Sequence, residues 1–313
     1  MSEKQEQRAA EFSELRPLLF SIAYRILGSV GEAEDVVQDA WPIFQAEDDV
    51  RSAKAFLSTV VTRNAINTLN SARIRRETYV GQWLPEPLLE DPYQDPQRSA
   101  ELADSISMAA LLLLERLSPL ERAAYVLREV FGYSYGEIAQ LLKRGESACR
   151  QLVARARQHM AAGRIRFDAD LQHRDELAER FFDAVRAGDV DGLRQLLTAD
   201  AQFTADGGGR VPNLKRAVIG PDPIARLVLS AYRDLWELGA RLEVRSINRQ
   251  PGGILRDRDG RVITVIVLDV ADGQIQAVRA INNPDKLEHL GEAAPAEALG
   301  QELRRLRRER REG

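Results

Sequence analysis

The chain of 313 residues carries a single cysteine, little excess charge and no long apolar run. Cys149 alone excludes an intramolecular disulfide and a cysteine zinc cluster, and its place on an apolar helix face makes it a small core residue. A formal net charge of −4 excludes a protein that coats nucleic acid by bulk charge, so any nucleic-acid contact must come from local patches. The longest greasy stretch, Met108 to Leu114, is far too short to span a bilayer. The start, MSEKQEQRAAEF, has no apolar signal core. These absences predict a cytoplasmic protein with no membrane partner, and the length allows two or three domains.

The most informative stretch is Ser134 to Met160. Ser134 and Glu137 form a capping-box pattern at the start of a helix. Ile138, Leu141 and Leu142 give that helix an apolar stripe, and Lys143-Arg144-Gly145 breaks it, with Gly145 expected to take a positive φ. In a second helix Cys149, Leu152, Val153 and Ala156 fall on one buried face. Glu146, Ser147, Arg150, Gln151, Arg155 and Arg157 are left for the polar, basic outer face. A short helix, a glycine turn and a basic second helix form the pattern of a DNA-reading helix-turn-helix.

Upstream, Phe12 to Leu27 reads as an amphipathic helix, preceded by about eleven frayed charged residues. Between Val30 and Val50 lie seven acids and no lysine or arginine, and Asp35, Gln38 and Asp39 share one exposed helical face suited to a basic partner. A third helix from about Ala53 to Arg75 sets Arg63, Asn64, Asn67, Arg73, Arg75 and Arg76 on a basic, amide-rich face suited to phosphates and base edges. Four prolines mark the following stretch as a linker, yet Tyr79, Trp83, Leu84, Leu88 and Leu89 are too apolar for an inert spacer. Helices are predicted over Glu101 to Leu117 and from Ser118 to near Gly132, the second with its own capping box and Pro119 in its first turn.

After the helix-turn-helix the pattern changes. Helices are expected over Arg174 to Ala187, Asp191 to Leu197 and Asp222 to Leu238. Alternating segments follow at 241–248, 253–256, 261–270 and 274–281, with Asp259-Gly260 and Asp272-Gly273 as hairpin signals. Helices on one curved antiparallel sheet make an α+β cone. The final QELRRLRRERREG reads as a loose basic tail.

The order of an acidic DVVQDAW helix, a basic TRNAINTLNSARIRR helix, a linker and SPLERAAYVLREVFGYSYGEIAQLL resembles the sigma-70 RNA polymerase sigma factors of the extracytoplasmic-function (ECF) type, which keep only regions 2 and 4. RRETYVGQWLPEP, Asp206-Gly207-Gly208-Gly209 and Asn283-Pro284-Asp285-Lys286-Leu287 resemble the signatures of the sigma-J-like subgroup with a fused SnoaL-like domain. The resemblance implies a multidomain chain: two all-α sigma domains, a region 2 helical bundle and a region 4 helix-turn-helix, followed by an α+β cone of the SnoaL-like, NTF2-like kind. The corresponding segments are 1–77, a linker at 78–100 with Trp83-Leu84-Pro85-Glu86-Pro87, 101–164, 170–290, and a basic tail at 291–313.

The resemblance also implies partners. Asp35, Gln38 and Asp39 would meet the clamp helices of the largest subunit of RNA polymerase core. Arg63, Asn64, Asn67, Arg73, Arg75 and Arg76 would meet the promoter −10 element. Glu146, Ser147, Arg150 and Gln151 would reach bases of the −35 element, with Arg155 and Arg157 on phosphates. WLPEP, DGGG and NPDKL would be interdomain regulatory contacts, and no metal or cofactor is expected. Pro42 departs from the family pattern and is expected to end or kink its helix early. Thr68 and Asn70 are less basic than the family norm, which predicts weaker −10 binding. Arg210 stands where lysine is usual and keeps the charge.

Cones of this kind elsewhere house isomerases and cyclases, which need a carboxylate or histidine base. Asp183, Asp206, Asp269 and His289 are the candidates; a helix surface, a glycine turn and strand alternation explain the first three without catalysis. The expectation is a non-enzyme whose cone docks on the WLPEP linker as a regulator, with a small ligand in the cone cavity as a further partner to test. The alternative is a helix-turn-helix regulator with a ligand-binding or enzymatic C-terminal domain.

Overall fold

The computed structural model describes residues 3–162, 171–211, 214 and 216–312. The junction between the expected segments 101–164 and 170–290 lies outside them. Contacts divide the chain into two units, Met1–Glu77 with Glu90–Ile165, and Thr78–Leu89 with Arg166–Gly313.

The first unit is helical. Helix α1 spans Glu3–Leu27 and begins well before the expected Phe12. The early residues are held because Arg8, nearly buried, donates to the carbonyls of Phe44, Gln45 and Glu47. Those carbonyls close helix α2, Val30–Ala46, whose N-terminus is capped by Ser29. Pro42 lies inside α2 and does not end it, contrary to expectation. Its ring sits on the exposed face, where water can satisfy the carbonyl it leaves unpaired, and Phe44 is buried two residues further on. Helix α3 spans Ala53–Glu77.

The helix expected over 101–117 is two helices, α4 (Ser99–Ile106) and α5 (Met108–Leu114). Ser107 is extended between them, and its hydroxyl accepts from the Ala110 amide to cap α5. Helix α6, Pro119–Tyr125, has both halves of the Ser118/Glu121 capping box and runs into a π-helical turn at Val126–Val130. Helices α7 (Tyr135–Leu142) and α8 (Glu146–Ala162) form the helix-turn-helix, with the Ser134/Glu137 box intact. Lys143, at φ 50°, takes the left-handed position expected of Gly145. The turn closes one residue after α7, where the Lys143 and Arg144 amides donate to Gln140 and Ala139.

The segments 1–77 and 101–164, expected as separate domains, form one unit in which α3 packs on α1 and α2 and also on α6 and α7. Buried ions tie them. Arg25, fully buried on α1, donates to Asp91 at 2.8 Å, to the Ser105 hydroxyl and to the Leu102 carbonyl. Arg122, also buried, donates to the Arg25 carbonyl and pairs with Glu115. Glu115 also receives Arg76, which reaches the Leu27 carbonyl. Burial pushes the Glu115 carboxyl up, but Arg122 and Arg76 outweigh it and hold the group below its ordinary value.

The second unit opens with α9 (Leu171–Ala187) and α10 (Val190–Leu196), then β1 (Leu197–Asp206), β2 (Val218–Ile219) and α11 (Pro221–Glu237). Strands β3 (Arg241–Ile247), β4 (Gln250–Arg256), β5 (Val262–Ala271) and β6 (Gln274–Ile281) follow, and α12 spans Ala296–Glu312. The described residues make one six-stranded sheet in the order β2-β1-β6-β5-β4-β3, with β1 parallel to β6 and every other pair antiparallel. This is the expected α+β cone. Strand β1 had no local signal because its partner β6 is far along the chain. Asp272 and Gly273 both take positive φ in the β5–β6 hairpin. Asn248 and Arg249 do the same between β3 and β4 without a glycine.

One face of the sheet packs against α9, α10 and α11 through Phe181, Phe182, Val228, Leu255, Leu268 and Val278. That interior is filled by apolar side chains. The terminal segment is not a loose tail: Leu299 and Leu303 of α12 pack on this core, and Arg307 and Arg310 hold the buried Asp234 of α11 at 2.7 and 2.6 Å.

Asp91→Asn leaves Arg25 buried without its counter-charge and is expected to cost about 3–5 kcal/mol. Denaturant unfolding followed by hydrogen exchange in α1 checks this, and Arg25→Met with Asp91→Leu should recover most of the loss. Equal stability of Asp91→Asn and the parent would show the pair is not what binds these segments.

Candidate nucleic-acid interface

The acidic face of α2 is as expected. Asp35, Gln38 and Asp39 are exposed, and among the described residues none of the three makes a side-chain hydrogen bond or ion pair. Val36, Val37 and Ala40 turn inwards beside them.

The basic face of α3 is arranged differently from a free cationic surface. Arg63 donates to the carbonyls of Leu141 at 2.8 Å and Gln140 at 3.0 Å, at the end of α7. Both carbonyls lie in the last turn of a helix, where partial negative charge draws a guanidinium; Gln140 also accepts from the Lys143 amide. Arg73 reaches the Leu117 carbonyl at 3.3 Å, Arg76 pairs with Glu115, and Arg75 pairs with Glu32 at 2.5 Å. Asn67 is exposed and Asn64 half-buried. Four arginines are therefore engaged inside the unit, which the sequence pattern alone did not disclose.

On α8, Cys149, Leu152, Val153 and Ala156 are buried as read from their spacing, and Glu146, Ser147, Arg150 and Gln151 are exposed. Arg150 pairs with Glu146 at 2.9 Å and lies over the Tyr135 ring. Arg155 and Arg157 are exposed but occupied, by Glu121 at 2.7 Å and Glu129 at 2.8 Å. Burial raises the Glu121 carboxyl, but Arg155 and the Ser118 hydroxyl and amide pull it down to about 2.

In the second unit the three signature motifs meet at one carboxylate. Asp206, at the end of β1, is fully buried. Its Oδ2 accepts from Lys286 Nζ at 2.7 Å and from the Leu84 amide at 2.8 Å. Its Oδ1 accepts from the Tyr79 hydroxyl at 2.5 Å and the Gly208 amide at 3.1 Å. Lys286 also donates to the Leu84 carbonyl, and its ammonium lies 4.2 Å from the Trp83 ring centroid and 5.1 Å from that of Tyr79. Asn283 donates to the Tyr79 oxygen at 3.0 Å. Burial first, then the Asp206 carboxylate, push the Tyr79 phenol well above its ordinary value.

Gly208 and Gly209 take φ of 58° and 73°. A β-carbon on Gly208 would collide with the Asn283 amide, and one on Gly209 would crowd Val80 at 3.2 Å. Gly207 supplies the carbonyl that accepts from the Arg210 amide, and the Arg210 side chain pairs with Asp285 of NPDKL at 3.1 Å.

The same segment continues along the sheet. His289 donates to the Pro87 carbonyl at 2.6 Å, and Leu88 exchanges two hydrogen bonds with Asn248, one to its side chain and one from its backbone amide. Leu84, Pro85, Pro87 and Leu88 are buried, and Trp83 and Glu86 are half-buried. Residues 78–89 are thus built into the cone, and only 90–100 of the expected 78–100 linker belong with the helices. Tyr79 and Asn248 were missed as site residues; the tyrosine had signalled only as an apolar linker residue within RRETYVGQWLPEP, and Asn248 only as the end of the alternating segment 241–248.

Each catalytic candidate in the cone is occupied. Asp206 holds Lys286, and Asp269 holds Arg279 at 2.5 Å and Gln250 at 2.6 Å on the sheet face away from the helices. His289 is spent on Pro87, and Asp183 is exposed against Arg186.

Lys286→Met leaves the Asp206 carboxylate buried without a cation. Exchange of the amides of residues 79–88 is expected to speed at least tenfold, read by mass spectrometry; unchanged protection would show that the pair does not hold this segment.

Among the described residues no helix is long and apolar enough to cross a membrane. The family described as Sigma-70 region 2 matches residues 12–75, and Sigma-70, region 4 matches residues 107–160. Over 289 residues the chain is 37% identical to the ECF RNA polymerase sigma factor SigJ of Mycobacterium tuberculosis, covering 88% of this chain and 92% of that one. It is 29% identical over 280 residues to the probable ECF RNA polymerase sigma factor SigI of the same species, covering 88% and 93%. The crystal structure of the M. tuberculosis SigJ superposes with a TM-score of 0.71 at 33% identity, covering 90% of this chain and 98% of that chain.

Proposed function

We propose, given that this chain belongs to the extracytoplasmic-function RNA polymerase sigma factors, that its cone regulates initiation by gripping the linker between the two DNA-binding regions. As a sigma factor the chain directs polymerase to promoters and starts transcription there. The finer reading assigns Asp35, Gln38 and Asp39 to the clamp helices of the largest core subunit. Three side chains that can accept, without a partner among the described residues and on one exposed face, are the complement of a basic coiled coil.

The exposed first turns of α8, with Ser147, Arg150 and Gln151, are assigned to the −35 major groove, and α3 to the melted −10 strand. Arg63, Arg73 and Arg76 already hold carbonyls and a carboxylate from residues 115–142. Phosphates that take these guanidinium groups compete with those contacts. The −10 face therefore becomes more available when 1–77 and 101–162 part, and phosphates at Arg155 and Arg157 compete with Glu121 and Glu129. The protein acts in the cytoplasm with its polymerase, and its cone is not catalytic, since each carboxylate or histidine candidate is either in a local hydrogen bond or ion-paired.

The observation that carries the regulatory reading is the buried Asp206–Lys286 pair closed around the Leu84 backbone. A segment of the linker held this firmly limits how far the flanking regions can separate.

In vitro transcription with core polymerase and a promoter library, comparing the full chain with one ending near Gly163, tests this. Several-fold different yields at equal core occupancy are expected, and the sign distinguishes an inhibiting from an assisting cone. Equal yields would remove the regulatory role. Separately, Asp35→Arg with Asp39→Arg should lower core binding at least tenfold in a pull-down while the circular dichroism spectrum stays that of the parent; undiminished binding would remove the assigned docking face.

A further inference from the structure

The filled interior of the cone leaves a different place for a ligand. Helices α9, α10 and α11 enclose an open groove of about 860 Å³ that no sheet residue lines. Its apolar lining is Val185, Val190, Leu229 and Trp236, and its polar lining includes Ser230 and Arg233. A volume of this order with an apolar floor and a few convergent polar groups is what small-molecule sites require.

The charge around the groove is unbalanced at one residue. Arg186 is held by Asp183 at 2.5 Å, and Arg226 by Asp222 at 2.9 Å. Arg233 has two acids in reach of its helix position, Asp234 and Glu237, the latter also lining the groove, and both are engaged by arginines of α12. Arg307 and Arg310 of α12 occupy the two oxygens of Asp234 at 2.7 and 2.6 Å, and Arg310 also takes Glu237. Arg233 is left 3.9 Å from Asp234, and among the described residues its guanidinium makes no hydrogen bond. A planar fork of donors without an acceptor sits beside Trp236 and Leu229, which follow and precede it by about one helical turn.

We propose that this groove binds a monoanionic amphiphile of the fatty-acid class. Its carboxylate would be received by Arg233 with Ser230, and its chain would lie over Leu229, Trp236 and Val190. From Arg226 to Glu237 the groove runs along α11 for about 16 Å at the helical rise, and the carboxylate at Ser230 and Arg233 lies near its middle, so the alkyl chain folds over the apolar floor between Leu229, Trp236 and Val190. Carboxylate binding by Arg233 displaces no existing hydrogen bond, whereas the same ligand at Arg186 or Arg226 would have to break an ion pair. The site lies wholly on the cone helices, so its test does not depend on the linker or on polymerase.

The test is calorimetric titration of the full-length protein with dodecanoate below its micelle concentration. Acetate and dodecylammonium form the control arms, and hydrogen exchange locates the site. One saturable site per chain is expected, with no binding of acetate and at least tenfold weaker binding of dodecylammonium. Arg233→Gln and Trp236→Ala should each weaken dodecanoate at least tenfold, with protection confined to 185–190 and 226–237. Arg233 is exposed, so its neutral variant keeps the fold. No saturable binding, equal affinity for dodecylammonium, unchanged affinity in Arg233→Gln, or protection elsewhere would overturn the proposal. So would a dimer in solution that covers these residues.

Discussion

A fully buried carboxylate cannot stay charged without partners, and Asp206 shows how much structure that requirement recruits. Its oxygens accept from a lysine, a tyrosine hydroxyl and two backbone amides. Those donors come from three stretches of chain: 79–84, 206–208 and 286. Removing any one leaves the buried carboxylate with fewer of its partners, so the three motifs depend on one shared acceptor. The two left-handed glycines belong to the same constraint, because a side chain there would drive Asn283 and Val80 out of place.

Arginine has the corresponding role in the helical unit. Arg25 is buried with acceptors at all three of its nitrogens, Arg122 is buried on the Arg25 carbonyl and Glu115 with its Nη2 unpaired among the described residues, and Arg63, Arg73 and Arg76 direct donors to backbone carbonyls and Glu115. The same chemistry that suits a guanidinium to phosphate suits it to carbonyl and carboxylate. A basic face read from sequence is therefore a statement about capacity, and tertiary contacts decide whether that capacity is already in use. Arg233 in the cone is the contrasting case: among the described residues its fork makes no hydrogen bond and lies only 3.9 Å from Asp234, because α12 holds the neighbouring acids more closely.

Local pattern was legible wherever the interaction that fixes a structure lies within one or two turns. The capping boxes at Ser118 and Ser134, the buried stripe from Cys149 to Ala156 and the Asp272-Gly273 turn are of this kind. Pattern failed where a distant group overrides it. Arg8 reaches across to the end of α2 and keeps both the first turns of α1 and the helix beyond Pro42 in place. Arg307 and Arg310 turn a charge-rich terminus into a docked helix through Asp234, and β1 is a strand because β6 lies beside it.

By itself, then, the order of residues determined the family, the helix-turn-helix, the acidic and basic faces and the motifs that would act together, since these depend on spacing and on short-range hydrogen bonds. Only the tertiary structure decided what each charged group holds. Ion pairs and buried hydrogen bonds join residues as far apart as Asn283 and Tyr79. Whether such a pair forms depends on two surfaces meeting with water excluded, and no local periodicity encodes that meeting.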